Sequence, residues 1–402
     1  MHLGYCTNVH PGESLAELRR ALATEVADVR DRAAPGRPFG LGLRLGNAAA
    51  TSLSGDAAAR ADFIAQLQRD DMYVFTVNGF PYGDFAAERV KAQVYRPDWR
   101  DPERRAYTRR VAEVLVALPG PTGRTISTVA GGFKSETLGA EATAQMVAQL
   151  LGSAHDLAEL ADRTGVQVRL CLEPEPFTTL ETTEEVVEFF TRHLLPAGEA
   201  ARAHLGVCYD CCHQAVQYED PVESLRALTT AGIAIGKIQV SSALVLPRPG
   251  DAAARRALFE FIEPRFLHQV VGRFPGVENL PGTEDLRGAG GLRGAGGLRR
   301  AVDLPDVLAD EHAWAAAESW RCHFHVPIGW SGGPLLSTTR ADWEAAVRYA
   351  AATNLTAHFE VETYTWDVLP SAERAARLAA SGGSLAGALA DELLTLHATL
   401  AP

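Results

Sequence analysis

Residues 206–213 read Gly-Val-Cys-Tyr-Asp-Cys-Cys-His. Alternation puts Leu205, Val207 and Tyr209 on one face of a strand and Gly206, Cys208 and Asp210 on the other. An acid at the tip of an apolar strand is costly to bury unless its charge is compensated. A divalent metal would compensate it, and Asp with a nearby His is a common ligand pair. Taken alone, Asp-x-x-His fits equally well an Asp that caps the next turn beside a packed histidine. Three other strands end in the same manner. In 167–173, Val168, Leu170 and Leu172 alternate with Arg169, Cys171 and Glu173, and Pro174 ends the run. In 235–241, Gly236, Ile238 and Val240 alternate with Ile235, Lys237, Gln239 and Ser241. In 356–362, Ala357, Phe359 and Val361 alternate with His358, Glu360 and Glu362.

The elements that must position these residues alternate strand with helix eight times. Strands are expected at 2–9, 39–45, 72–77, 125–129, 167–173, to Asp210, 235–241 and 356–362. Helices are expected at 14–29, 57–69, 102–118, 140–163, 182–194, 220–231, 341–352, 370–380 and 384–399. Such alternation predicts a parallel sheet covered by helices. Eight repeats favour a closed (β/α)8 TIM barrel, an α/β fold, over an open sheet. No Gly-x-Gly-x-x-Gly or Walker pattern opens a helix, so no nucleotide-cofactor site is expected. In a barrel the outward face packs on helices, while the inward face is free to be polar at the C-terminal mouth. Glu173, Asp210, Gln239 and Glu362 would then point into one mouth. Arg169, Lys237, His358 and Glu360 lie below them and are expected to pair inside the barrel.

The whole chain, 1–402, is expected to form this one domain, interrupted after the seventh strand by an insertion at 243–320 on the mouth side. The insertion carries a helical piece, Ala254 to Val271, suited to a lid or an oligomer contact. It also carries an identical tandem repeat, Leu-Arg-Gly-Ala-Gly-Gly, at 286–291 and 292–297, which reads as a Gly-rich surface loop. It ends in Cys-His-Phe-His-Val-Pro-Ile-Gly-Trp, 322–330. There His323 and His325 share a face if extended and can fold back over the mouth. A short β arm with satisfied histidines is the competing reading. Asn78, Phe80, Tyr82, Trp99 and Trp330 are candidate pocket-wall residues.

Composition permits the barrel and excludes other classes. Hydrophobic residues make up 47% of the chain and the formal net charge is −12, with a pI near 5.5. This balance argues against a broad nucleic-acid or anionic-membrane surface. The opening Met-His-Leu-Gly-Tyr-Cys lacks the basic and apolar regions of a signal peptide. No run approaches the ~18 apolar residues of a membrane span. Six scattered cysteines read as reduced thiols in a cytoplasmic protein, with a cysteine metal site at Cys208, Cys211 and Cys212 the weaker alternative.

The order of these motifs resembles the xylose-isomerase-like superfamily of metal-dependent barrels, which includes sugar isomerases, epimerases and endonuclease IV. The resemblance implies metal ligands at Glu173 in Leu-Glu-Pro, Asp210 in Asp-Cys-Cys-His, Gln239 in Lys-Ile-Gln-Val and Glu362 in Val-Glu-Thr. It implies a substrate-orienting or supporting role for His213, and site contacts at His323 and His325. A narrower resemblance, to the EboE metabolite-traffic family, rests on Gly-Tyr-Cys-Thr-Asn-Val-His-Pro-Gly-Glu, Thr-Val-Asn-Gly-Phe-Pro-Tyr-Gly and Val-Tyr-Arg-Pro-Asp-Trp. It implies a small-molecule role in a specialised pathway. The second, third and fourth strands lack the histidines with which endonuclease IV holds three zinc ions, which puts phosphodiester cleavage in doubt.

Three carboxylates and an amide oxygen make a hard site suited to Mg²⁺ or Mn²⁺, with Zn²⁺ and Co²⁺ compatible. The expected function is isomerisation or epimerisation of a sugar, cyclitol or keto acid by enediolate proton transfer, with Glu173 and Glu362 exchanging the proton. A metal-dependent hydrolase or lyase, favoured by a second bridged metal, and a non-catalytic metabolite-binding protein are the alternatives. The expected partner is a small molecule, without nucleic acid or membrane insertion; homo-oligomers and pathway partner proteins are left open.

Overall fold

The computed structural model describes residues 1–275, 293–294 and 297–401. Eight parallel strands form one sheet: β1 (His2–Tyr5), β2 (Phe39–Arg44), β3 (Met72–Asn78), β4 (Gly123–Val129), β5 (Gln167–Glu173), β6 (Leu205–Asp210), β7 (Ile235–Val240) and β8 (His358–Val361). Their spatial order is β1-β8-β7-β6-β5-β4-β3-β2. The two ends of this sheet meet through a parallel bridge between Cys6 and Gly42, so the sheet is a nearly closed barrel. The seam requires glycine. A Cβ on Gly4 would lie 2.5 Å from the Gly40 carbonyl oxygen, and one on Gly40 would lie 2.6 Å from that of Leu3.

Helices follow the strands because local signals start them. Asp56, Asp101 and Asp220 each accept backbone N–H groups at the start of Ala57–Arg69, Pro102–Ala117 and Pro221–Thr230. In the last two, proline sits at the first turn, where its missing N–H costs nothing. The helix expected over 14–29 is two helices, Leu15–Ala23 and Glu25–Ala33, broken at Thr24. The Thr24 hydroxyl turns back to the Arg20 carbonyl at 2.8 Å. A further helix, Asn47–Gly55, lacks a side-chain cap at Gly46, and the sequence reading does not contain it.

The excursion after β7 is mainly a second sheet. Its antiparallel strands run, in order, 293–294, Leu298–Ala301, Val270–Arg273, Ser319–Val326, Ser242–Leu246 and Ser337–Thr338. The helical piece expected over 254–271 is only Ala252–Phe259. Pro264 follows, and the β-branched Val270 and Val271 pair with Cys322 and Arg321 instead. Apart from 293–294 and Gly297, the tandem repeat at 286–297 lies outside the described residues. Among the described residues, no helix is long and apolar enough to cross a membrane.

Inside the barrel, Lys237 and Glu360, both 0% exposed, form an ion pair. Gly42 leaves the space that the Glu360 carboxylate occupies. Burial works against the Lys237 ammonium, but Glu360 and neighbouring anions outweigh it and raise its pKa. The other two inward groups do not pair with charges. Arg169 donates to the carbonyls of Arg202 and Leu205 at 3.0 and 2.8 Å. His358 shares a 3.0 Å hydrogen bond with the Thr125 hydroxyl. Glu360→Ala should therefore strand a buried ammonium and cost about 3–5 kcal/mol in denaturant unfolding. Adding Lys237→Met should recover much of that loss.

Glu392, on the closing helix Leu385–Leu400, fastens the mouth loops. It accepts the Ile328 N–H and the Thr363 hydroxyl, each at 2.8 Å. Burial raises its pKa from 4.5 to about 7. A folded-state pKa above the unfolded one means the native state holds the extra proton between these values. Its stability contribution is present below about pH 4.5 and is lost as pH rises through about 7. Thermal unfolding from pH 4.5 to 7.5 should thus decline less in Glu392→Gln than in wild type.

Candidate functional site

At the tips of β5, β6 and β8 three acids meet. One carboxylate oxygen from each of Glu173, Asp210 and Glu362 lies within 4.8 Å of the others, and all three side chains are buried. The strands place them in register, since inward positions fall at every second residue and each strand ends at the same level. Burial, then the Asp210 carboxylate, pushes the Glu173 pKa well above the ordinary range. Burial, then Glu173 and Asp210, does the same to Glu362.

Part of this charge is met by local donors. Asp210 caps its own turn: Oδ1 accepts the His213 N–H at 2.9 Å and the Ser241 hydroxyl at 2.8 Å. Glu362 Oε1 accepts amide hydrogens from Asn8 at 2.9 Å and Asn78 at 2.8 Å. Glu173 Oε2 and Asp210 Oδ2 are buried without any hydrogen-bond partner. Gln239 sits beside Asp210 in register. Its Oε1 accepts the Cys208 thiol at 2.7 Å, while its Nε2 has no partner. Buried carboxylate oxygens without a partner are costly, and a bound cation would satisfy them.

Three histidines form a second cluster against Asp210. The Nε2 atoms of His213 and His323 are 3.1 Å apart, those of His323 and His325 3.1 Å, and those of His213 and His325 3.4 Å. Their other nitrogens face acceptors. His213 Nδ1 is 3.1 Å from the Pro174 carbonyl, and His325 Nδ1 is 2.8 Å from that of Glu362. A carbonyl only accepts, so each Nδ1 carries the proton and each Nε2 presents a lone pair. His323 Nδ1 meets Gln269 Oε1 at 2.5 Å. The Gln269 amide is turned that way because its Nε2 donates to Tyr95 Oη at 2.9 Å and Glu175 Oε1 at 3.0 Å.

Burial lowers the pKa of all three histidines, helped by the neighbouring His325 for His213 and by His213 for His323. Three lone pairs therefore face one another with little tendency to take up a proton. Their separations match the ~3.3 Å edge of a tetrahedron with ~2.0–2.1 Å metal–nitrogen bonds. Asp210 also lies within reach of His213 and His325, so it belongs to both clusters. Glu175 adds a further acid, its pKa raised by burial to about 8.

A pocket opens onto these groups, bordered by Asn8, Asn78, Glu173, Glu175, His323 and Glu362. Of the other residues singled out in the sequence, Phe80 lines it as well. Trp330 lies outside it, where its ring stacks on Phe261 and its Nε1 closes the turn to Gly332 at 3.0 Å. Tyr82 points its hydroxyl at Glu103, at 2.9 Å, and Trp99 its Nε1 at Thr128, at 3.2 Å. The sequence reading did not contain Asn8, Glu175, Tyr95 or Gln269 as site residues, and it gave Ser241 only as an inward strand position. Glu175 had a local signal in Glu-Pro-Glu-Pro, two residues beyond Glu173; Gln269 had none. All six cysteines are free and buried; among the described residues, Cys212 is the cysteine that joins a ligand-like group, with His323 and His325.

With this geometry in hand, known proteins provide a frame. No curated protein matches the chain. A xylose isomerase-like TIM barrel protein from Mycobacterium smegmatis, solved in complex with magnesium, is 11% identical. That match covers 99% of this chain and 96% of the other, with a TM-score of 0.50. An L-ribulose 3-epimerase is 15% identical over 66% of this chain and 80% of its own, with a TM-score of 0.40. AsbF from Bacillus anthracis, described as a 3-DHS dehydratase, is 16% identical over 60% and 73%, with a TM-score of 0.39. At such identities the likeness concerns the fold alone. The model of the xylose isomerase-like TIM barrel family, however, matches residues 46–261, more than half of the chain, and the chain belongs to that family.

Proposed function

We propose that this chain is a metal-dependent isomerase or epimerase of a small hydroxy-carbonyl compound. The supporting observation is the trio Glu173, Asp210 and Glu362, three buried carboxylates gathered within 4.8 Å at the mouth of the barrel. Their unpartnered oxygens fit a divalent cation. Gln239 is the fourth candidate ligand; exchanging its two amide ends would turn the oxygen to the side now without a partner. The oxygen-rich set suits Mg²⁺ or Mn²⁺. Bound there, such an ion would act as a Lewis acid on adjacent carbonyl and hydroxyl oxygens and acidify the C–H between them.

The protein's own groups do the rest. Asn8 and Asn78 fix the Glu362 carboxylate from one side, leaving Oε2 for the pocket. Glu173 Oε2 has no competing hydrogen bond. One of the two carboxylates takes the proton and the other returns it. A second reading, a two-metal hydrolase or lyase, is favoured by the three-histidine cluster, which offers a nitrogen-rich position next to the carboxylates with Asp210 between them.

Metal analysis separates the two. The isomerase reading expects one tightly held ion per chain, absent from Asp210→Ala. Two ions per chain, with one lost in His323→Ala, would favour the hydrolase. Unchanged metal content in Asp210→Ala would place the site elsewhere.

Turnover of a ketose, aldose or keto acid in D₂O should place solvent deuterium on the carbon next to the carbonyl. Glu173→Gln keeps the shape and removes the base, so exchange should fall by at least ~10²-fold. Undiminished exchange in that variant would remove Glu173 from the assignment.

A further inference from the structure

The outer wall of the pocket is of another character from its floor. It is built from Phe85, Val90, Val94, Phe266, Leu267 and Tyr364. Three of these pack against one another as an aromatic cluster on the pocket wall. Phe85 and Phe266 have ring centroids 4.9 Å apart, Phe85 and Tyr364 5.1 Å, and Phe266 and Tyr364 5.0 Å. Beside the Tyr364 hydroxyl, two further outer polar groups that might have served a hydroxylated ligand are engaged elsewhere. Lys91 Nζ is held by the Phe266 carbonyl and Asp303 Oδ2, each at 2.6 Å. Tyr95 Oη donates to Glu175 at 2.7 Å and accepts from Gln269 at 2.9 Å.

A free sugar carries a hydroxyl on almost every carbon. Seated with two oxygens at the carboxylates, its far end would bury hydroxyls against rings and aliphatic chains, and each unpaired hydroxyl opposes binding. An aromatic group there would gain burial and ring–ring contact. We infer that the substrate is an aryl-substituted hydroxy-carbonyl compound: two adjacent oxygens at the acid floor, an aromatic ring packed against the Phe85–Phe266–Tyr364 cluster that lines the pocket, and no polyol tail. This deepens the isomerase reading and rests on it for the reaction. The proton on the hydroxyl-bearing carbon passes to one glutamate, and a proton returns to the former carbonyl carbon. Hydroxyl and carbonyl thereby exchange places, and no outside oxidant or reductant is needed.

The test compares two probes on the full-length protein in Mn²⁺ buffer, 1-hydroxy-1-phenylpropan-2-one and erythrulose. Binding is read by calorimetry and solvent exchange by NMR in D₂O. The aryl probe should bind at least about tenfold tighter. Phe85→Ser, a change at a half-buried loop position, should erase most of that preference, and Phe85→Leu should keep part of it. Equal or tighter binding of erythrulose overturns the inference, even if erythrulose exchanges deuterium and so supports the isomerase. A preference undiminished in Phe85→Ser also overturns it. Tight, Phe85-dependent binding of the aryl probe without exchange upholds the inference on ligand class while it counts against the isomerase.

Discussion

The mutual repulsion of Glu173, Asp210 and Glu362 is the constraint around which the mouth of this barrel is arranged. Three acids within 4.8 Å and away from water cannot all be charged without help. The surrounding side chains supply some of it in layers. Below, the Lys237 ammonium, itself paired with Glu360, opposes the rise in pKa of both glutamates. At the same level, Asn8, Asn78, Ser241 and the His213 amide direct N–H and O–H dipoles at two of the three acids. What they leave unmet is concentrated on Glu173 Oε2 and Asp210 Oδ2, which is where a divalent cation would be most strongly bound.

The second sheet gains its meaning from the same place. It leaves the barrel directly after β7 and brings His323 and His325 back against His213, which stands on the turn after β6. Gln269, from another strand end of that sheet, sets the tautomer of His323, so the orientation of one histidine depends on Tyr95 and Glu175 across the pocket. A nitrogen-rich cluster and an oxygen-rich cluster thus share Asp210. They differ in hardness, and so in the ions they would prefer. The roof contributed by Phe266 and the 79–96 loop, tied down through Lys91, gives the pocket an apolar outer half above an acidic floor.

Much of this architecture is written locally in the chain. Period-two alternation marks the four strands that carry the site, because a strand buried on both sides still separates helix-facing from inward residues. Asp-Pro pairs at 101–102 and 220–221 announce helix starts through cap chemistry confined to a few residues. Glu173, Asp210 and Glu362 were legible as mouth residues for the same reason: each continues the inward alternation at or one residue past the end of its strand, and parallel strands in register bring such positions to one level.

What the sequence alone determined, then, is the barrel and the level at which its acids lie. Only the tertiary structure decided which groups share a contact there. Asn8 and Glu362 are 354 residues apart, and His213 and His323 are separated by 110. Their meeting depends on barrel closure and on how the second sheet docks, neither of which has a local signature. Local reasoning erred where tertiary pairing overrode it: 254–271 carried helical spacing, yet Pro264 and the pull of neighbouring strands made 270–273 a strand between Leu298–Ala301 and Ser319–Val326. Trp330 was a reasonable neighbour of His325 by number, but the turn after Pro327 carries it onto Phe261 and away from the pocket. Strand tips are set by short-range periodicity; the chemistry between them is set by long-range packing, and that is why the acids could be read in advance and their partners could not.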